Sequence, residues 1–158
     1  MKSFKQALNM GLIGAIAVFT SSYFQLATWV LFMAWVSYYL FGTKPKSALT
    51  IFVQQLFGII IAMIIQFLGS KLSISLGMFG FPLVVFIIMI GVFYISKLKY
   101  FSNIPAYFLG MIIWFGSNKP IDINIFLVLG LTLIIGYAFA WINVEINNKI
   151  ELKHQSNE

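Results

Sequence analysis

Gln54 and Gln55 stand side by side inside a long apolar run, and Gln66 follows on the same stretch. With Ser37 and Thr132 they are the uncharged polar side chains best placed to do chemistry, because an amide or hydroxyl both donates and accepts a hydrogen bond. Set among apolar neighbours, such groups have two uses: they line a path for a small neutral or anionic solute, or they tie one helix to the next at about 0.6 kcal/mol per bond. Gln54 and Gln55 are about 100° apart on a helix, so both face inward only if their helix is central. Thr20, Ser21, Ser22, Gln25 and Thr28 form a second polar cluster.

The titratable groups point elsewhere. Asp122 precedes an apolar run, Glu145 follows that run, and Glu151, His154 and Glu158 fall in a polar tail. Catalysis needs such groups gathered in one pocket, so no enzyme activity, catalytic residue, metal site or cofactor is expected. Proton-coupled carriers place Asp, Glu or His within their spans, and none is found there. Glu145 and Lys149 have the spacing of a surface helical ion pair, and His154 reads as a solvated side chain.

These residues must be positioned by helices in lipid. Of 158 residues, 61% are hydrophobic and 9% charged, too little polar surface to cover a water-soluble domain. Runs such as Phe57 to Ile65 are apolar on every side, without the alternation of a β-barrel strand. The expectation is an all-α polytopic membrane protein. Gly, Pro, Ser, Asn and Lys mark six spans, at about Ala7 to Thr20, Phe24 to Phe41, Ala48 to Leu68, Ser75 to Ile95, Tyr100 to Phe115 and Ile121 to Asn143. They form one domain over 1–145, followed by a polar cytoplasmic tail over 146–158. The first run shows no cleavage site and is expected to stay as a helix. There is no cysteine, hence no disulfide or thiolate site.

Lysine placement orients the spans, because short cytoplasmic loops retain positive charge. With the N-terminus inside, Lys2, Lys5, Lys44, Lys46, Lys97, Lys99, Lys149 and Lys153 lie on the cytoplasmic side, and Lys71 and Lys119 outside. Both termini are then cytoplasmic. The net charge of +6 belongs to topology and not to a nucleic-acid surface.

Sliding the chain by 74 residues brings Phe41-Gly42 onto Phe115-Gly116, Gly58 onto Thr132 and Ala62 onto Gly136. Span three lands on span six. Units of three spans enter the membrane from opposite faces, so the alignment describes a 3+3 inverted repeat with halves 7–70 and 75–143. Composition alone also supplies Phe-Gly pairs, at Phe57-Gly58 and Phe79-Gly80. Small residues four apart, Gly11 with Ala15, Gly58 with Ala62 and Gly136 with Ala140, mark close helix contacts, the last two placing spans three and six in contact. Pro105 opens a short span five that carries Gly110.

Gly11 to Gly14, Trp29, Tyr39 to Pro45, Gly58 with Ala62-Met63, Pro105 with Phe108 and Gly110, and Gly130 to Gly136-Tyr137-Ala138 together resemble the YcdZ-like family of small bacterial inner-membrane proteins, a domain of unknown function. The similarity runs from about Gly11 to Trp141. It implies a multi-pass protein of the bacterial cytoplasmic membrane and a compact helical bundle, and it transfers no catalytic residues.

Two functions follow as expectations. One is a channel or facilitator for a small solute, with Ser37, Gln54, Gln55, Gln66 and Thr132 along the pathway. The other is a non-transporting scaffold or accessory subunit that binds partners through small-residue helix faces. A homo-oligomer in the bilayer is expected in either case.

Overall fold

The computed structural model describes residues 2–155, and every regular element among them is helical. In chain order these are α1 (Lys2–Tyr23), α2 (Thr28–Leu40), α3 (Pro45–Leu76), a 3-10 turn (Gly77–Phe79), α4 (Gly80–Ile95), α5 (Ile104–Ser117) and α6 (Ile123–Gln155). By length and composition, two continuous helical stretches are apolar enough to cross a membrane: 45–95, which counts α3 and α4 together, and 123–155. Large apolar side chains such as Ile64, Phe86, Ile87, Leu131 and Ile134 are exposed on their outer sides.

Several helix ends differ from those read in the sequence, for one physical reason: a polar residue or glycine inside an apolar run breaks a helix only if nothing there satisfies or needs it. The expected break after Leu68 does not occur, because the Ser70 and Ser73 hydroxyls bond back to Phe67 O at 3.0 Å and Gly69 O at 2.8 Å. The chain turns instead at Gly77, whose φ of +56° is left-handed. Likewise α1 passes Thr20 and Ser21 to reach Tyr23, with the reversal at Gln25, φ +53°. Ser21 Oγ bonds Val18 O at 2.9 Å and meets Thr28 Oγ1 across the turn at 2.7 Å. Finally, α6 does not stop at Asn143; it carries much of the polar tail onward as helix to Gln155.

Other ends follow the expected chemistry. Pro45 opens α3 and Pro105 lies in the first turn of α5, where a missing N–H costs nothing. Asn103 caps α5 by accepting Ala106 N–H, and Asn118 closes it in the left-handed conformation at φ +49°. Asp122 accepts Asn124 N–H at 2.7 Å where α6 begins.

The chain divides into two compact units. One comprises the described residues up to Leu49 with those from Val128, so it holds α1, α2 and most of α6. The other is Thr50–Leu127, with most of α3, and α4 and α5. Neither follows the halves 7–70 and 75–143, since each combines helices from both.

In the first unit α1 and α6 are antiparallel: Lys2 pairs with Glu151, and Asn9 bonds Asn143 and Asn147. There α2 and α6 run parallel, since Leu31 and Ala34 meet Gly136 while Tyr39 bonds Asn143. In the second unit α4 folds back on α3, with Phe81 over Gly69 and Gly80 against Ser73. Here α3 and α5 run parallel, with Gln54 at the N-terminus of α5, Gly58 at Gly110 and Gln66 at Trp114.

Candidate functional site

Two glutamines of the second unit, Gln54 and Gln66, hold α5. Gln54 is buried; its Nε2 donates to Tyr100 O at 2.8 Å and its Oε1 accepts Asn103 N–H at 3.1 Å, so both ends of the amide grip the connection entering α5. Three turns along α3, Gln66 Oε1 accepts the Trp114 indole N–H and its Nε2 donates to Lys119 O at 3.4 Å, gripping the connection that leaves α5. Between these clamps the backbones touch. A methyl built on Gly110 would run into Gln55 O and lie 2.9 Å from Gly58 Cα. Gln55 is also buried, with a partner of its own. Tyr107 OH donates to Phe101 O at 3.1 Å, further fixing the entry to α5.

In the first unit, Ser37 and Thr132 are buried and bond back into their own helices, to Met33 O and Val128 O, each at 2.7 Å. Ser37 also hydrogen-bonds Tyr137. Gly136 receives the Leu31 carbonyl and the Ala34 methyl, and Ala140 is fully buried. The glycines expected to join spans three and six thus each receive a helix of their own unit: α5 at Gly58, α2 at Gly136. Ala62 is fully buried, whereas Gly11 and Ala15 face outward, with open space where a Gly11 Cβ would stand.

A cluster that sequence reasoning missed lies between α1, α2 and α6. Asn143 is fully buried. Its Oδ1 accepts the Tyr39 hydroxyl at 2.7 Å and an Asn147 amide N–H at 3.5 Å. Asn9 Nδ2 donates to Asn143 O at 3.1 Å and Asn147 Oδ1 at 2.9 Å. The Asn143 Nδ2 has no partner, nor has the buried Trp35 indole N–H one turn before Tyr39 on α2. Unsatisfied buried donors cost about 1–3 kcal/mol each, so these two are groups an incoming acceptor would stabilise. The signal was present in the spacing: Asn143 and Asn147 are four residues apart, hence on one face of a helix. Reading asparagine as a helix end concealed it.

The family model described as "Protein of unknown function (DUF1097)" matches residues 7–147. The chain belongs to the DUF1097 family. That match covers the described helices apart from the outer ends of α1 and α6, so the Asn9, Tyr39, Asn143 and Asn147 cluster falls within the DUF1097 region. Among curated proteins and solved structures, nothing matches the chain.

The ion pair between Lys2 and Glu151 lies just outside the two ends of the DUF1097 region. Lys2 Nζ meets Glu151 Oε1 at 2.6 Å, and this bond holds the Glu151 carboxyl below its ordinary value of 4.5. The Glu145–Lys149 pair expected from the sequence does not form. Among the described residues no group of three His, Cys, Asp or Glu side chains could hold a metal ion.

Proposed function

We propose that this DUF1097 protein is a six-span protein of the bacterial cytoplasmic membrane, related to the YcdZ-like proteins, that passes a small neutral or anionic solute as a channel or facilitator. Its halves are an inverted repeat, with both termini and most lysines on the cytoplasmic side. The observation that carries this is a pair of short helices in equivalent places. α2 has 13 residues and α5 has 14, so at ~1.5 Å per residue they are about 20 and 21 Å long, short of the ~30 Å hydrocarbon core. Each is the middle helix of its sequence half. Each lies parallel to a long helix, through a glycine contact, in a unit whose remaining helix is antiparallel to that long helix. Short segments at corresponding positions of two halves are where transporter folds place their solute sites.

The pathway residues are redistributed. Gln54 and Gln66 act as clamps on α5, and the groups offered to a solute in the first unit are the unpartnered donors of Asn143 and Trp35, with Ser37 and Thr132 in supporting places; Gln55, in the second unit, has no part in that site. Donors without acceptors suit a carbonyl, hydroxyl or small anion.

Stopped-flow swelling of proteoliposomes with urea or glycerol, together with chloride flux, tests this. Wild type should exceed empty vesicles for at least one solute. Asn143→Leu should lower that rate, while Gln54→Leu that retains its helix content should not. Rates equal to those of empty vesicles for every solute would refute transport and favour the second reading, a scaffold or accessory subunit. What supports that second reading is the outward small-residue face of α1 at Gly11, Gly14 and Ala15, where another helix, including that of a second copy in a homo-oligomer, could approach closely.

A further inference from the structure

In the second unit an open groove of about 420 Å³ runs along α3, lined by Ile60, Met63, Ile64, Phe67 and Leu68 and faced by Ile121, Ile123 and Phe126. The α3 residues recur at the three- and four-residue spacing of one helix face, so the groove follows the helix for about 12 Å. Two lysines stand at one end of it. Lys71 is the next member of the same stripe, and its ammonium lies 4.3 Å from the centroid of the Phe67 ring. Lys119 is brought to that level by its carbonyl, which accepts the Gln66 amide, and it precedes Ile121 by two residues. Neither ammonium has a carboxylate partner among the described residues. The nearby Asp122 carboxylate is engaged by Asn124 N–H at the start of α6.

We infer that this groove is a binding site for an anionic glycerophospholipid, one acyl chain lying along Ile60 to Leu68 and the phosphate meeting Lys71 and Lys119. The site rests on the membrane-spanning reading above. In lipid the apolar groove alone cannot select, because one hydrocarbon chain is as good a neighbour as another. Selection falls to the charges at its end. At about 1 kcal/mol per lysine near a membrane surface, two lysines correspond to about 30-fold preference for an anionic headgroup, and to about fivefold if Asp122 cancels one of them. A second copy of the chain is a poor occupant. It would present the same two lysines, and apart from Asp122 its nearest carboxylate along α6 is Glu145, 22 residues and about 33 Å from Ile123.

Purified protein in nanodiscs made with phosphatidylglycerol, phosphatidylcholine or equal mixtures, analysed by native mass spectrometry for retained lipid, tests the site. Wild type should retain phosphatidylglycerol over phosphatidylcholine by five- to thirtyfold. Lys71→Gln with Lys119→Gln should bring the ratio close to one with helix content unchanged, and Asp122→Asn should raise it. Ile64→Trp, which fills the groove, should reduce retention of both lipids. A wild-type ratio near one, or a preference that survives the double lysine change and falls instead with Lys44→Gln and Lys46→Gln, would overturn the site while leaving the membrane reading intact. Failure of the chain to enter the bilayer would overturn the membrane reading and the lipid site together.

Discussion

Gly110→Ala is the most economical test of how α5 is held. The added Cβ would meet the Gln55 carbonyl oxygen and lie 2.9 Å from both Gln55 C and Gly58 Cα. Every one of these atoms is backbone, so no side chain can rotate away and α5 must move off α3 by roughly an ångström or more. Overpacking of this kind costs about 1–3 kcal/mol. The movement also stretches the two Gln54 bonds at the N-terminus of α5 and the two Gln66 bonds at its C-terminus, which at about 0.6 kcal/mol each add at most ~2 kcal/mol. The expected loss is therefore about 1–5 kcal/mol. Gly11→Ala is the control, because open space surrounds that position and alanine is the better helix former. Reversible unfolding in mixed micelles, followed by circular dichroism against the mole fraction of SDS, measures both. Gly110→Ala as stable as wild type would show that α3 and α5 are not in backbone contact and would refute the clamp.

Further outcomes follow from other contacts. Because Lys2 lowers the Glu151 pKa, the clasp between α1 and α6 contributes stability fully above pH 4.5 and loses it as pH falls through the lowered value. Spin labels at Lys5→Cys and Asn148→Cys should report a narrow distance distribution at neutral pH that broadens below pH 4.5, whereas Glu151→Gln should give the broad distribution throughout. Asn9→Leu removes donors to Asn143 O and Asn147 Oδ1 and should cost about 1–2 kcal/mol in the same SDS titration. Gln66→Leu removes the acceptor of the Trp114 indole, and the Trp114 Nε1 proton resonance should move upfield while the other indole resonances stay in place.

The helical class and the approximate place of each helix were legible because both depend on bulk quantities: the apolar fraction, and the distance between polar interruptions. Helix ends were less legible. Ser70, Ser73 and Asn143 look like interruptions in one dimension, yet the serines return their hydroxyls to the helix and the asparagine finds Tyr39 on another helix. The role of Gln54 was hidden for a related reason. Its partners are backbone groups at Tyr100 and Asn103, more than forty residues away, and a backbone partner leaves no mark in side-chain composition. Spacing did mark Gly58 and Gly136 as close-contact positions, but small residues specify only that some helix approaches, not which. Glu145 with Lys149 had the right spacing for a pair, whereas Glu151, a carboxylate that does meet a lysine, does so with a residue at the other end of the sequence.

The proposed six spans, mirrored halves and lipid site all require both termini on one side of the membrane, with Lys71 and Lys119 alone among the lysines on the other. The chain contains no cysteine, so single Cys variants can be labelled without background. In intact cells, a membrane-impermeant maleimide should label Lys71→Cys and Lys119→Cys, and should reach Lys44→Cys and Lys97→Cys only after permeabilisation. Labelling of Lys71→Cys and Lys119→Cys from opposite sides, or of Lys44→Cys from the same side as Lys71→Cys, would contradict the six-span topology.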